Sequence, residues 1–267
     1  MDLYSKAISD ITYADILSFL QARHHESVTL DYKEDWPQHL ARSMAAFANT
    51  SGGIILLGVT EEEKTGCPIL PPAGIPLGAG EDDIKRRIES AAYDAIYPPL
   101  FPEIAVCCKE DDPTRAVALV RIAESRETPH WTDDRQRIYV RVQSQNRFAE
   151  RMAYPEELHW LLQRRAAALD LRASLLARAR ERASLLKDAS PPPPSAQAVI
   201  EAYAAPVYPD RPRLDRAQLI AFARKTAVSG SARPTAYNQF PVSGWSARPV
   251  DGGVAITCSR ERSGLQQ

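Results

Sequence analysis

Polar side chains that could do chemistry first occur on one short alternating stretch. Asp31 and Lys33 alternate there with Leu30 and Tyr32, which is the period of a half-buried strand. Residues two apart on a strand point to the same face, so we expect Asp31 and Lys33 to lie opposite Leu30 and Tyr32. The sequence therefore predicts a carboxylate and an ammonium group side by side on one sheet face.

Two further carboxylates lie at the ends of predicted elements next to this stretch. Glu26 lies where a predicted helix meets the strand, and Glu61 follows a predicted neighbouring strand. Carboxylates about 4 Å apart repel by ~4 kcal/mol at an effective dielectric constant of about 20, so a cluster needs a cation, a basic partner or a raised pKa. Oxygen-only ligation favours Mg²⁺ or Mn²⁺. The alternative is that Asp31 and Lys33 are exposed strand residues and 61–63 a solvated loop.

The paired glycines of this region do not favour a nucleotide site. A phosphate-binding loop runs from a strand through glycines into a helix, so that the helix N-terminus faces the anion. Ser51-Gly52-Gly53 runs instead from a predicted helix into a predicted strand. A helix cap and a close backbone crossing explain these glycines more simply.

The elements that must position these groups form a mixed α+β pattern. Strands and helices do not alternate strictly, so we expect an α+β domain and not a doubly wound one. Helices are predicted from Thr12, from Trp36-Pro37 to residues 49–53, and over 82–97, with strands over 28–33, 54–59, 104–108, 116–122 and 138–142 and a loop over 61–80.

A long helix is predicted from Pro155 to Lys187. Leu162, Leu169 and Leu176 are seven residues apart within it, so they form a short heptad row. Two interpretations remain open: the helix packs on its own domain, or the row is the seam of a homodimer.

Basic residues cluster from the last predicted strand onward. Residues 151–187 contain eight basic and four acidic side chains, although the whole chain has a net charge of -1. We expect this surface to bind phosphates without reading base sequence, unless it is a solvated helix face. The candidate nucleic-acid contacts are Arg141, Arg147, Arg151, Arg164 and Arg165.

Composition sets the outer limits of the interpretation. The chain has 267 residues, of which 44% are hydrophobic and 25% charged, so it can bury a core. No apolar run approaches the roughly 20 residues of a membrane span, and the first ten residues do not resemble a secretory signal. The four cysteines show no CxxC spacing. We therefore expect reduced thiols and a cytoplasmic location.

The chain divides by composition into four parts. Residues 1–152 form the α+β domain, 153–189 a basic helical extension, and 190–195 a stiff proline linker. Residues 196–267 are expected to form a small α/β region, with a strand over 199–207 and a helix over 215–225.

The region from Glu26 onward resembles the Schlafen AlbA-type domain. The family has an acidic residue, a second one five positions on followed by an aromatic residue and lysine, then Phe-Ala-Asn-Thr with two glycines, a hydrophobic strand and Gly-Val. Glu26–Lys33, Ala45–Gly53 and Ile54–Val59 follow this pattern, and Thr128–Trp131 and Ile138–Val142 are similar to the family's closing strands. The resemblance covers roughly residues 12–150.

The resemblance implies a mixed sheet with flanking helices and, as in nuclease-active members, a metal-dependent site that cleaves structured RNA such as tRNA. Carried over by position, its three carboxylates are Glu26, Asp31 and an acid after Val59, for which Glu61 comes first and Glu62 is the alternative. They would hold Mg²⁺ or Mn²⁺, while Lys33 would offset phosphate charge. The chain departs from the pattern at Asp31, usually glutamate, and at Thr60, usually acidic. The alternative is non-catalytic nucleic-acid binding; ATP binding is less favoured. A homodimer would pair two such lobes.

Overall fold

A computed structural model describes seven stretches of the chain. They are residues 3–62, 65–132, 136–144, 147–189, 196–202, 244–250 and 253–261. The chain divides into two compact units, Met1–Arg165 and Ala166–Gln267. In the described residues, no helix is both long and apolar enough to cross a membrane. The content of helices and mixed strands confirms the predicted α+β class.

The first unit opens with two short helical segments. They are a 3-10 turn, Ile8–Asp10, and helix α1, Tyr13–Gln21. Thr12 caps α1 as predicted: its side chain accepts from the Asp15 backbone N–H, and the Asp15 carboxylate accepts from Thr12 N–H. This reciprocal cap fixes where α1 starts and turns its apolar face toward the sheet.

A five-stranded mixed sheet forms the centre of this unit. Its strands are β1 (Leu30–Lys33), β2 (Gly53–Leu57), β3 (Ile75–Pro76), β4 (Glu103–Cys108) and β5 (Arg115–Ile122). β1 and β2 are parallel, whereas β5 runs antiparallel to β2, β3 and β4. The strand predicted from Val28 begins at Leu30, because residues 27–30 close a tight turn in which Ser27 and Leu30 exchange backbone hydrogen bonds.

Two helices cover one face of the sheet and α1 covers the other. They are α2, Leu40–Asn49, and α3, Glu81–Asp94. Leu57 and Ile55 share a core with α2 and α3, while Leu56 and Ile54 share a core with α1, Leu30 and Tyr32. The sheet is thus covered by helix on both faces, which explains the unbroken apolar run of β2.

Helix α2 begins later than the sequence predicted. Trp36-Pro37 was expected to open it, but the helix starts at Leu40. Trp36 packs instead against the core between α2 and α3, from the loop that precedes the helix.

The predicted close crossing at Gly52 and Gly53 is confirmed. A Cβ atom on Gly52 would lie 2.6 Å from Ile122 O, and one on Gly53 would lie 2.3 Å from Thr29 O. Both residues also have positive φ angles, +67° and +147°. Since glycine alone tolerates both conditions, these two residues end α2 and let β2 run tightly between β1 and β5.

A second, three-stranded antiparallel sheet packs beside α2. It contains β6 (Trp131–Thr132), β7 (Arg137–Ser144) and β8 (Arg147–Met152). Asn49, at the end of α2, is fully buried and donates to the carbonyls of His130 and Tyr139 at 3.0 and 2.9 Å. Its own oxygen accepts from His130 N–H at 2.8 Å, so one amide ties the helix to this sheet.

Helix α4, Pro155–Ala189, follows β8 and confirms the predicted long helix. In the first unit Leu161 is fully buried beside Ile138 and Val140, whereas Leu162 is exposed.

The second unit contains the rest of α4 and a three-stranded antiparallel sheet. Its strands are β9 (Ala196–Ala202), β10 (Gly244–Val250) and β11 (Gly253–Glu261), with β11 in the middle. The strand predicted over 199–207 therefore begins at Ala196 and is described to Ala202. The helix predicted over 215–225 lies outside the described residues.

Candidate functional site

The parallel pairing of β1 and β2 sets the direction of the predicted polar groups. Asp31 is in register with Ile55, and Lys33 with Leu57. Leu30 and Tyr32 belong to the opposite core, beneath α1. Asp31 and Lys33 therefore point to the face that α2 and α3 cover, as their spacing predicted.

Asp31 is buried and held between two cations. Lys33 Nζ lies 2.8 Å from Asp31 Oδ2 and donates to Oδ1 at 3.0 Å. Arg141, from β7, donates to Oδ1 at 3.1 Å. Burial alone would raise the pKa of Asp31, but a hydrogen bond from Glu26 and the charges of Arg141 and Lys33 lower it. The Asp31 carboxylate is therefore ionised at neutral pH.

Glu26 is the second member of the cluster and differs from Asp31 in protonation. Its Oε1 accepts from Tyr32 N–H at 3.0 Å. Burial, the hydrogen bond with Asp31 and the negative charge of Asp31 raise the pKa of Glu26 to about 8. At neutral pH Glu26 therefore keeps its proton and can donate it to Asp31. Two carboxyl groups with opposed pKa shifts are a common sign of a functional site.

Glu61 lies at the rim of this cluster. Its side chain is exposed and its backbone forms a bridge with Pro68 beyond the end of β2. The charge of Glu61 contributes to the raised pKa of Glu26, so the two groups are within electrostatic range. The structure thus brings together Glu26, Asp31 and Lys33 directly, with Glu61 beside them.

The cluster fits a divalent ion in part. Within the described ranges, no group of three or more His, Cys, Asp or Glu side chains is arranged to hold a metal. Asp31 Oδ2 is buried with Lys33 Nζ 2.8 Å away, and Glu26 adjoins Asp31. Since Mg²⁺ is usually held by one or two carboxylates together with water and substrate phosphates, Glu26 and Asp31 are the residues that would hold it.

The loop that carries Glu61 is tied to the segment that carries Glu26. Glu26 N–H donates to Gly66 O at 3.1 Å, and His25 Nδ1 lies 2.7 Å from Thr65 O. The buried Cys67 thiol donates to Arg23 O at 3.4 Å. The sequence did not reveal these ties, because they join residues about 40 positions apart through main-chain atoms.

The five arginines predicted to contact nucleic acid have different environments. Arg141 is buried; besides Asp31 it donates to Ser27 O and Leu30 O and lies over the Phe47 ring. Arg164 is also buried, where it donates to Asn49 O and Thr50 O and lies 3.2 Å from a Glu124 oxygen. Both side chains are therefore buried in the protein interior and not, as the sequence predicted, on a surface that could contact nucleic acid. The periodicity of the sequence did not reveal this burial.

Of the remaining three arginines, Arg151 and Arg165 are partly exposed, and the side chain of Arg147 is not among the described ones. Arg151 makes a two-pronged ion pair with Glu157 at 2.7 and 2.8 Å. Arg165 is half-buried. The side chain of Arg147 lies outside the described residues.

Glu150 is a site residue that sequence reasoning missed. It lies on β8, where its Oε1 accepts from Ser43 Oγ at 2.8 Å and lies 3.5 Å from Arg141. Its charge also helps to raise the pKa of Lys33 against the effect of burial. A charged residue on an edge strand gives no sequence signal of this role.

Comparison with known proteins agrees with this architecture. The family model described as Schlafen, AlbA_2 matches residues 26–150. This range includes Glu26, the whole central sheet, and Glu150. A search of the curated proteins found no match.

Proposed function

We propose that the protein binds structured RNA such as tRNA and cleaves it in a metal-dependent reaction, since residues 26–150 match the Schlafen, AlbA_2 family model, which points to a nucleic-acid-related function. The proposed site consists of Glu26, Asp31, Lys33 and Glu61. The proposed setting is the cytoplasm, where the free thiols of Cys67, Cys107 and Cys108 stay reduced.

The contact between Glu26 and Asp31 carries this proposal. One carboxyl group holds a proton and its neighbour is ionised, and Lys33, partly exposed, adjoins both. A purely structural ion pair between Asp31 and Arg141 would not need a second carboxyl group with a raised pKa. The arrangement suits a reaction in which a proton moves near a phosphate.

Each residue has a separate task in the proposed reaction. A bound Mg²⁺ or Mn²⁺, held by Glu26 and Asp31, would supply positive charge at the phosphate. Lys33 offsets charge on a phosphate oxygen with its ammonium group. Glu61 adds negative charge at the rim, and Arg141 orients Asp31 through the hydrogen bond to Oδ1. Glu26 holds the proton that must leave before it can bind a cation.

A second candidate function is nucleic-acid binding without cleavage. The observation that favours it is the neutralisation of Asp31 by Lys33 and Arg141, which lets the cluster exist without a divalent ion. In that case Asp31 and Arg141 stabilise the fold, and RNA is held by surface cations alone.

Dimerisation is a separate part of the proposal. Leu162 and Leu169, two of the three leucines at heptad spacing, are exposed at 48% and 39%. Exposed leucines at this spacing suit a seam with a second copy of α4.

Cleavage of RNA by purified protein tests the proposed function. We expect total tRNA to be cut in the presence of Mn²⁺ and to survive with a chelator. Glu61→Gln should reduce cutting strongly without affecting the fold, since Glu61 is exposed. Asp31→Asn should abolish it, and Glu110→Gln, an exposed carboxyl outside the cluster, is the control. RNA binding by the parent with no cutting would support the second candidate instead.

A further inference from the structure

The cations of α2 and α3 fall into two groups. Lys85 and Arg86 on α3 pair with carboxylates three residues earlier, Asp82 and Asp83. Arg42 on α2 and Arg87 on α3 make no ion pair with any described residue. Each lies over an aromatic ring instead: Arg87 over Trp36 at 3.9 Å, and Arg42 over Tyr139 at 5.3 Å.

The stacks hold these two guanidinium groups in place. The Trp36 ring is half-buried and packs against the core, so it gives the exposed Arg87 a fixed base. The acidic neighbours Glu34 and Asp35 form no ion pair with Arg87, although they lie on the same loop as Trp36. A planar guanidinium on an aromatic face keeps its N–H donors free for a phosphate while losing little side-chain freedom.

Arg42 has a further unpaired group. Its Nε is buried and makes no hydrogen bond with the described part of the protein. The next residue, Ser43, contacts Glu150, which lies beside Arg141. Tyr139 and Arg141 are two apart on β7, so they lie on the same side of that strand. Arg42 is therefore next to the polar network that surrounds Asp31.

Both arginines lie on the helices that cover the sheet face to which Asp31 and Lys33 point. α2 and α3 share a core with Ile55 and Leu57, which are in register with Asp31 and Lys33. Trp36 follows Lys33 by three residues, so their Cα atoms are at most about 11 Å apart. This distance is within reach of one short segment of RNA.

We propose that Arg42 and Arg87 contact the phosphate backbone of the RNA strand that reaches the carboxylate cluster at the partly exposed Lys33. This proposal rests on the proposed function. It assigns RNA contact to two residues that precede the basic residues predicted to bind nucleic acid, which begin at Arg141. Phosphate contacts of this kind position the strand and do not read its sequence.

The test is the affinity for fluorescently labelled tRNA, measured by anisotropy in chelator so that no cleavage occurs. Arg42→Gln and Arg87→Gln should each weaken binding about tenfold, as expected for a lost charge-assisted hydrogen bond. Each should also reduce the slope of log K against log salt by about 0.7–0.9 over about 50–200 mM salt. Arg86→Gln removes the same charge from the adjacent residue and should leave the slope nearly unchanged.

Lysine variants separate RNA contact from a structural role of the stacks. Arg42→Lys and Arg87→Lys keep the charge, so they should keep the parent's salt slope even if thermal unfolding shows a loss of stability. If Arg42→Gln and Arg87→Gln match Arg86→Gln in affinity and salt slope, this inference is wrong and the proposed function is unaffected. Lysine variants that lose as much slope as the glutamine variants would also overturn this inference. A parent protein that fails to bind tRNA would overturn both this inference and the proposed function.

Discussion

Asp31 and Arg141 form an ion pair in the interior of the first unit, 110 positions apart in the chain. The guanidinium lies 3.1 Å from Asp31 Oδ1, and both side chains are 1% exposed. The pair joins the edge strand β1 of the central sheet to β7 of the second sheet. It therefore links the carboxylate cluster to the integrity of the fold.

Removing the guanidinium should be costly. Arg141→Gln leaves the Asp31 charge buried with Lys33 as its remaining cationic partner, and breaking a buried pair in this way typically costs about 3–5 kcal/mol. Arg151→Gln is the matched control, because its pair with Glu157 is about one-third exposed. That change should cost about 0–1 kcal/mol in urea unfolding. Equal unfolding midpoints for the two variants would contradict this role of Arg141.

The raised pKa of Glu26 predicts a pH dependence of stability. Folded protein keeps the Glu26 proton up to a pKa of about 8, whereas the unfolded chain releases it near the ordinary value of 4.5. The stabilisation from this proton is therefore full below pH 4.5 and is lost as pH rises toward 8. Glu26→Gln cannot ionise, so its stability should fall less than the parent's across this window.

Urea unfolding at several pH values between about 5 and about 8 measures this difference. Glu110→Gln should follow the parent curve. Asp31 acts in the opposite direction, because its lowered pKa gives stability that is lost only as pH falls below its ordinary value of 3.8. A Glu26→Gln curve parallel to the parent's would show that Glu26 ionises normally.

The glycine crossing predicts a difference between two alanine substitutions. Gly52 and Gly78 both have positive φ, but a Cβ on Gly52 would lie 2.5 Å from Glu124 N, whereas one on Gly78 meets no atom within 4 Å. Gly78→Ala should cost about 1–2 kcal/mol, from its backbone conformation alone. Gly52→Ala should cost clearly more, as a lower midpoint of thermal unfolding. Similar midpoints would contradict the close crossing.

Local patterns predicted much of the fold and part of the site. The alternation around Asp31 and Lys33 correctly predicted that the two side chains share a face, and the glycine pair correctly predicted where α2 ends. Both features depend only on the backbone period and on steric contacts over a few residues. The burial of Arg141 and Arg164 did not follow from the sequence. Their partners, Asp31 and the carbonyls of residues 49–50, lie more than 100 positions away.

Strand β8 shows a different limit. Residues 147–152 contain three charged side chains, and the sequence predicts that the two arginines among them belong to a basic surface after the last strand. These residues form instead a strand that pairs antiparallel with β7. The pairing places Glu150 next to Ser43 and Arg141. Glu150 lies between Phe148 and Met152 on one face of β8, so a charged residue interrupts the hydrophobic alternation that would reveal the strand.

The position of a Mn²⁺ ion in crystals soaked with Mn²⁺ and a short RNA tests the central claim most directly. We predict an anomalous peak between the Glu26 and Asp31 carboxylates, within coordination distance of an oxygen of each and next to an RNA phosphate. A peak elsewhere, with Asp31 still held only by Lys33 and Arg141, would contradict a metal-dependent site at this cluster.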